Sequence, residues 1–268
     1  MTNKLLLGVA LVAALAAAAL FWWFRTAPAP AAPAPPVAQA PEPTASAPAP
    51  EPKTPLEVPV AAVPLTAEEI PQALIDLVGR KAVASFLQTD DFPRRMVATV
   101  DNLGRAHAPP ILWPVTPTAE RFMVEDRDGA SVIHADNAAR YTPFVLLAET
   151  VDVGKAVDLY VRMYPLLQRS YQELGYPNKS FNDRMVEVID MLLATPDVEY
   201  PVKVELTEVK GPIPSVRPWV RYQYADPKLE ALASGQKILV RSGAVNQRRL
   251  KGKLAEFRAE LVKRATRR

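Results

Sequence analysis

The chain has no cysteine. That excludes disulfide staples, thiol nucleophiles, Cys-ligated zinc and iron–sulfur clusters, so the fold must rest on burial alone. Histidine is scarce: His107 and His134 stand far apart, with no H-x-x-x-H spacing to suggest a metal pair. Only 10 of the 268 residues are glycine. Neither G-x-G-x-x-G nor G-x-x-x-x-G-K-[ST] occurs, so nucleotide phosphates have no recognisable cradle. No similarity recurs at a period of about 20–50 residues, which disfavours a solenoid.

One stretch lacks charge and proline altogether. Leu5 to Phe24 reads LLLGVALVAALAAAALFWWF, with Gly8 as its single glycine. As a helix it spans about 30 Å, the thickness of a bilayer's hydrocarbon core. Lys4 precedes it and Arg25 follows; Trp22 and Trp23 lie at its end, where indoles favour the headgroup layer. We expect a membrane anchor over residues 1–25. The alternative is a cleavable signal peptide, cut after the small residues Ala16-Ala17-Ala18. Continued hydrophobicity to Phe24 favours retention. Lys4 and the amino terminus oppose Arg25 alone, a small bias towards an N-terminus in the cytoplasm.

Residues 26–64 follow as a Pro/Ala-rich, disordered linker in which 13 of 39 residues are proline. Proline lacks the N–H and fixes φ, so neither helix nor sheet is expected. Such a spacer reaches at most ~120 Å at ~3.1 Å per residue.

The soluble remainder, 65–268, is long enough for one domain with a real core. The net charge of +3 hides a division. Residues 65–233 carry 18 basic and 24 acidic side chains, whereas 234–268 carry 11 basic and 2 acidic. A basic end on an acidic body either folds back onto it or meets an anionic partner.

Periodicity predicts a mainly α domain. Thr66 to Glu69 fits a capping box before Ile70, Leu74, Leu77 and Val78. A short helix follows over Arg80–Leu87. Asp90-Asp91-Phe92-Pro93 opens a helix striped by Phe92, Met96, Val97, Val100 and Leu103. His107–Thr118 is a loop with four prolines around Ile111-Leu112-Trp113. Arg121–Glu125 and Ala130–His134 read as a β-hairpin across Asp126–Gly129. Asp136 opens a helix reaching Glu149. A long helix runs from Asp152 to Leu174, with a kink expected at Pro165. Phe181, Met185, Val188, Ile189, Leu192 and Leu193 make the cleanest stripe. Val202–Val209 and Val220–Tyr224 read as a second strand pair. Short helices open at Asp226 and at Ser234. A basic amphipathic helix, Asn246 to Lys263, ends the domain with Leu250, Leu254, Phe257 and Leu261 on its apolar face.

Several of these segments together carry a resemblance. They are Thr89 to Leu103, with Asp90-Asp91, Arg94-Arg95 and Ala98-Thr99-Val100-Asp101-Asn102-Leu103; Leu166-Leu167-Gln168; Tyr171 to Pro177; Leu193-Ala194-Thr195-Pro196; Tyr224 to Glu230; and Gln236-Lys237. The sequence resembles the bacterial domain-of-unknown-function family numbered 3014, over roughly residues 65–265. The resemblance implies an anchor, a proline-rich linker and this domain. It implies no activity and supplies no catalytic residues.

Local motifs point mostly to structure. Ser234-Gly235-Gln236-Lys237 matches the S-x-x-K of penicillin-binding enzymes, but no S-x-N or K-T-G follows it. Asp126-Arg127-Asp128-Gly129 fails as a calcium loop, because Val124 and Ala135 would occupy its first and twelfth positions. His134 and Asp136 could belong to a triad, but no G-x-S-x-G elbow accompanies them. Glu68/Glu69 and Asp90/Asp91 suit helix starts better than a glycosidase pair. Trp113 and Trp219 either plug loops onto the core or stack on sugars.

The candidate binding residues are Arg94, Arg95, Asp101, Asn102, Arg140, Tyr141, Tyr176, Gln236 and Lys237. They either line an anionic groove or form an internal network; we favour the network. Arg248, Arg249, Lys251 and Lys253 on the last helix either stay solvated or meet anionic lipid or cell-wall polymer. Nucleic acid is disfavoured by the anchor. No cofactor, metal or catalytic residue is assigned. The sequence thus reads as a single-pass protein of a bacterial inner membrane with a periplasmic helical domain. That domain is expected to be a non-catalytic binding or assembly module for another envelope protein or an anionic polymer. The alternative is a cell-envelope hydrolase with an unrecognised site.

Overall fold

The computed structural model describes residues 63–208 and 217–265. The expected anchor and nearly all of the expected linker lie outside them. Among the described residues no helix is long and apolar enough to cross a membrane.

The domain is mainly helical with two small antiparallel strand pairs. Its elements are α1 (Ile70–Val78), α2 (Arg80–Phe86), α3 (Phe92–Leu103), β1 (Val124–Arg127), β2 (Ala130–Ile133), α4 (Asn137–Thr150), α5 (Val153–Glu173), α6 (Phe181–Leu193), β3 (Val204–Leu206), β4 (Tyr222–Tyr224), α7 (Pro227–Glu230), α8 (Ser234–Arg241) and α9 (Ala244–Ala265). A 3-10 turn, Ala67–Glu69, leads into α1. There the Glu69 carboxylate accepts the Thr66 N–H at 2.8 Å, the return arm of the expected box. That bond holds the Glu69 carboxyl below its ordinary value.

Side-chain caps fix three of the helix starts. Asp152 accepts from the Lys155 N–H at 2.9 Å, Ser180 from that of Asp183 at 3.2 Å, and Asp226 from that of Lys228 at 2.8 Å. Asp91 departs from this pattern. It precedes α3 in a left-handed conformation, φ 51°, and its side chain caps nothing. α5 continues past Pro165 to Glu173, and α4 contains Pro143.

The first hairpin is tighter than its sequence suggests. Arg127 pairs with Ala130, so only Asp128-Gly129 makes the turn. Both residues have positive φ, 52° and 77°, the Asp-Gly solution for a two-residue hairpin. The strands are Val124–Arg127 and Ala130–Ile133, shifted towards the turn from the expected Arg121–Glu125. β3 and β4 are also shorter than expected, and Val209 lies outside the described residues. A bridge from Val132 to Lys203 joins the two strand pairs edge to edge.

Two apolar clusters result. The larger draws on α1, α3, α5, α6, α8 and α9, with Val157, Leu167 and Phe181 fully buried. Each such side chain stabilises the fold by about 1.5–3 kcal/mol relative to exposure. The smaller joins Ile133, Val202, Val204 and Tyr224 to Val240 of α8.

α8 reaches the core through Gly235. A Cβ there would stand 2.7 Å from Leu192 Cδ2 and 3.1 Å from the Leu103 carbonyl, so a larger residue would push α8 away from α3 and α6. Beside it, Ser234 is the first residue of α8 and not its cap. Its hydroxyl donates to the Asn102 carbonyl at 2.9 Å, tying α8 to the end of α3.

Candidate functional site

Three clusters hold most of the candidate residues, and a groove beside one of them makes a fourth place. The first centres on Asp101, near the C-terminal end of α3, whose side chain is 6% exposed. Arg105 donates to Asp101 Oδ2 at 2.6 Å, and Arg184 of α6 donates to Oδ1 at 3.2 Å. Arg184 also donates to the Asp101 carbonyl at 2.9 Å. Tyr176, from the turn after α5, accepts from Arg105 and donates to Oδ2 at 3.4 Å. Its ring stacks on Tyr171, centroids 4.6 Å apart. Burial pushes the Tyr171 hydroxyl up to about 12, with the Asp101 charge adding to the rise. Burial alone would lower the Arg184 guanidinium; the Glu187 and Asp101 carboxylates outweigh it and hold it above its ordinary value. The cluster pins α3, α6 and the α5–α6 turn together. Asp101 and Tyr176 thus share one hydrogen-bonded cluster with Arg105 and Arg184.

Asn102 donates to the Ala98 carbonyl at 2.7 Å, within its own helix. Arg95 donates to the carbonyls of Asp90, Ile111 and Trp113, fastening the proline-rich loop to α3. Arg94 alone on this helix points outward, 76% exposed beside Asp91. Arg140 performs the corresponding task for the segment before β1, donating to the Ala119 and Glu120 carbonyls and lying 5.8 Å from the Tyr141 ring. The two tryptophans also serve the loops. The Trp113 indole nitrogen is buried, and the Arg121 guanidinium covers Trp219 at 4.0 Å.

The second place joins β4, α7 and α8. Lys237 Nζ donates to Glu230 Oε1 at 2.8 Å, and the Tyr224 N–H donates to Oε2 at 2.9 Å. Burial would raise the Glu230 carboxyl; the Lys237 and Tyr224 hydrogen bonds prevail and lower it. Lys237 therefore faces Glu230, while the Ser234 hydroxyl bonds α3 instead. A serine–lysine catalytic pair needs the two side chains bonded to each other, and here each is bonded elsewhere. Gln236 accepts the Ala233 N–H and donates to the Met191 carbonyl at 3.0 Å.

Next to this unit lies an open groove of about 700 Å³. Its apolar lining is Pro196, Val198, Pro201, Val202, Leu229 and Leu232. Asp197, Glu199, Asp226, Lys203 and Lys228 stand around it. The segment Pro196–Lys203 forms one wall, and the start of α7 faces it. Sequence reading singled out the blocks Leu193–Pro196 and Tyr224–Glu230 but not the groove they border. Proline framing on both sides was the available signal.

The fourth place is α9. Its basic residues largely fold back onto the body. Lys251 donates to the Thr195 carbonyl at 2.8 Å and Lys253 to that of Val151 at 3.1 Å. Arg249 faces Glu149 at 3.6 Å, Arg258 pairs with Asp190, and Arg264 pairs with Asp158. Arg248 is exposed and makes no ion pair among the described residues.

The protein of unknown function (DUF3014) family model matches residues 92–258. The chain belongs to this family. The DUF3014 match begins at the first residue of α3 and ends within α9, so it takes in the Asp101 cluster, the Glu230–Lys237 pair and the groove. α1 and α2 lie before it. No curated protein and no solved structure matches the chain.

Among the described residues, no group of three or more His, Asp or Glu side chains is placed to hold a metal ion. His134 accepts the Asp136 N–H at 3.1 Å through Nδ1 and lies 3.8 Å from Glu125, while the nearby Ser131 hydroxyl donates to Asp126.

Proposed function

We propose that the chain is a membrane-anchored bacterial envelope protein whose helical domain binds another envelope component, protein or polymer, without catalysis. The groove between Pro196–Lys203 and α7 carries the reading. It combines an apolar floor with charged residues of both signs on its rim, the make-up of a recognition site. Lys203 and Lys228 are exposed there and offer hydrogen-bond donors to a carboxylate or other anion. Five of the candidate polar residues support the reading from the other side. Asp101, Arg95, Arg140, Gln236 and Lys237 are engaged in holding the fold.

The Leu5–Phe24 stretch would fix the protein in the inner membrane, and the Pro/Ala linker would hold the domain off it in the periplasm. The test is site-specific photocrosslinking of the full-length chain in intact cells, with the crosslinker at Lys228. The expected result is one dominant envelope component captured at Lys228 and not at Arg94. With the crosslinker at Lys228, Lys203→Glu should sharply reduce that capture while leaving the melting curve in place, because Lys203 is exposed. Equal capture at the two positions would refute the groove as the binding face.

A further inference from the structure

One wall of the groove is an extended run without a partner. Val198, Val202 and Val204 pack into the smaller cluster, and Tyr200 donates its hydroxyl to the Val240 carbonyl, whereas Asp197, Glu199 and Lys203 are exposed. Burial thus alternates with the period of two that an extended chain with one buried face shows. At the approach to β3 the run is paired. Val202 accepts the Ile133 N–H at 2.9 Å, and Lys203 accepts that of Ala225 at 3.1 Å. Upstream the pairing stops. Among the described residues, the main chain of residues 197–201 donates and accepts no hydrogen bond. Pro196 and Pro201 bound this stretch, so its open donors are those of Asp197, Val198, Glu199 and Tyr200. The charges beside it are also unused, and they are sorted along the wall. Glu199, Lys203 and Lys228 make no ion pair among the described residues. Asp197 and Glu199 stand upstream, where Asp197 Oδ1 lies 3.5 Å from Gln247 Nε2. Lys203 stands downstream, bonded through its carbonyl to Ala225, and Lys228 follows shortly after that residue. Asp226 accompanies the two lysines, with its Oδ1 taken by the Lys228 N–H at 2.8 Å.

We propose that the groove takes an extended peptide segment of a partner protein, laid as a strand along residues 197–201. Its apolar side chains rest on the groove floor, a basic side chain meets Glu199, and an acidic one meets Lys203 and Lys228. The inference rests on the groove being the binding face and names what fills it. Main-chain groups with no internal partner are bonded to water in the free protein, and strand addition exchanges that water for a ladder. The ladder supplies affinity whatever the sequence; the floor and the charges at either end supply specificity. Val198, Leu229 and Leu232 form the floor beside the open main chain. The volume of about 700 Å³ suits a short segment rather than the face of a folded partner. An anionic polymer fits this wall less well. A repeat of one charge would set its anions against Asp197 and Glu199 as well as against the lysines. A glycan also offers no ladder of N–H and carbonyl groups.

The probe is a random-sequence library of displayed heptapeptides, panned against the detergent-solubilised full-length chain. The parent should enrich peptides that carry a basic and an acidic residue with apolar residues between them. Glu199→Lys should exchange the basic residue of the recovered peptides for an acidic one. Lys203→Glu with Lys228→Glu should exchange the acidic residue for a basic one. All three positions are exposed, and thermal unfolding checks each variant. Lys203→Gln, which should lose the acidic preference without reversing it, stands in should the double reversal not fold. N-methylation of the main-chain amides of a recovered peptide, with its side chains unchanged, should weaken binding about tenfold in fluorescence anisotropy, since ladder bonds are lost. No enrichment over empty micelles, recovered charges indifferent to the reversals, or an N-methylated peptide that binds like its parent would overturn the proposal. Capture of a polymer at Lys228 in cells, with no peptide enriched, would overturn the peptide and leave the groove as the binding face. Absence of capture at Lys228 as well would remove both.

Discussion

Asp101 is a carboxylate taken out of water and held by two guanidinium groups. Removing it leaves Arg184, 17% exposed, without its buried counter-charge. Breaking such a pair from one side costs about 3 kcal/mol or more. Asp101→Ala should lower the unfolding free energy by about that amount, measured by denaturant titration, with Arg184→Met costing less because the remaining Asp101 keeps Arg105. Glu230 offers a test in pH. Its folded carboxyl lies below the ordinary 4.5, so its contribution is present above 4.5 and is lost as pH falls through the folded value. Glu230→Gln should therefore flatten the stability curve on the acid side of 4.5, and an unchanged slope would show that the folded carboxyl is not lowered. At this scale the sequence was only partly readable. Arg105 stands four residues after Asp101, a helical pairing visible in the chain. Arg184 lies 83 residues away, and nothing local announces that it completes the cluster.

At the scale of elements, the same substitution should act in opposite directions at two glycines. Gly235→Ala places a methyl against Leu192 and the Leu103 backbone, and overpacking of this kind costs about 1–3 kcal/mol. Gly252→Ala meets open space in an exposed helix and should stabilise the domain by up to about 1 kcal/mol through helix propensity alone. Thermal melts of the two variants should fall on either side of the parent; two shifts of one sign would mean that α8 is not packed as described. The helices were legible because their stripes repeat within one segment: Phe181 to Leu193 reads as α6 from its own spacing. The strands were less so. Val204–Leu206 is too short to show alternation, and its partner lies beyond Pro218, so register is settled by pairing and not by local pattern. The two-residue Asp128-Gly129 turn had a readable signal in its Asp-Gly pair, but the preceding Asp126-Arg127 masked where the strand ended.

Across the whole molecule, the basic end resolves into two uses. Lys251, Lys253, Arg258 and Arg264 close α9 onto acidic side chains and free carbonyls of the body, which is the fold-back reading of the charge division. Among the described residues of α9, Arg248 is exposed and makes no ion pair, and Arg249 is exposed beside Glu149. The first described residues already engage the core. The Leu65 N–H donates to the Arg162 carbonyl at 3.0 Å, and Leu65 and Ile70 are buried against α5 and its neighbours. Upstream, composition argues for a spacer that adds nothing to this core. A chain beginning at Pro59 should thus melt with the full domain. One beginning at Ile70 loses the Leu65 side chain, its backbone bond to Arg162 and the Glu69 cap of α1. Burial of one leucine is worth about 2 kcal/mol, so that chain should melt roughly 4–8 °C lower. A loss already present at Pro59 would mean that the proline-rich stretch packs on the domain, and the spacer proposal would fail with it. A melt unchanged at Ile70 would mean instead that α1 is held by its own apolar face alone.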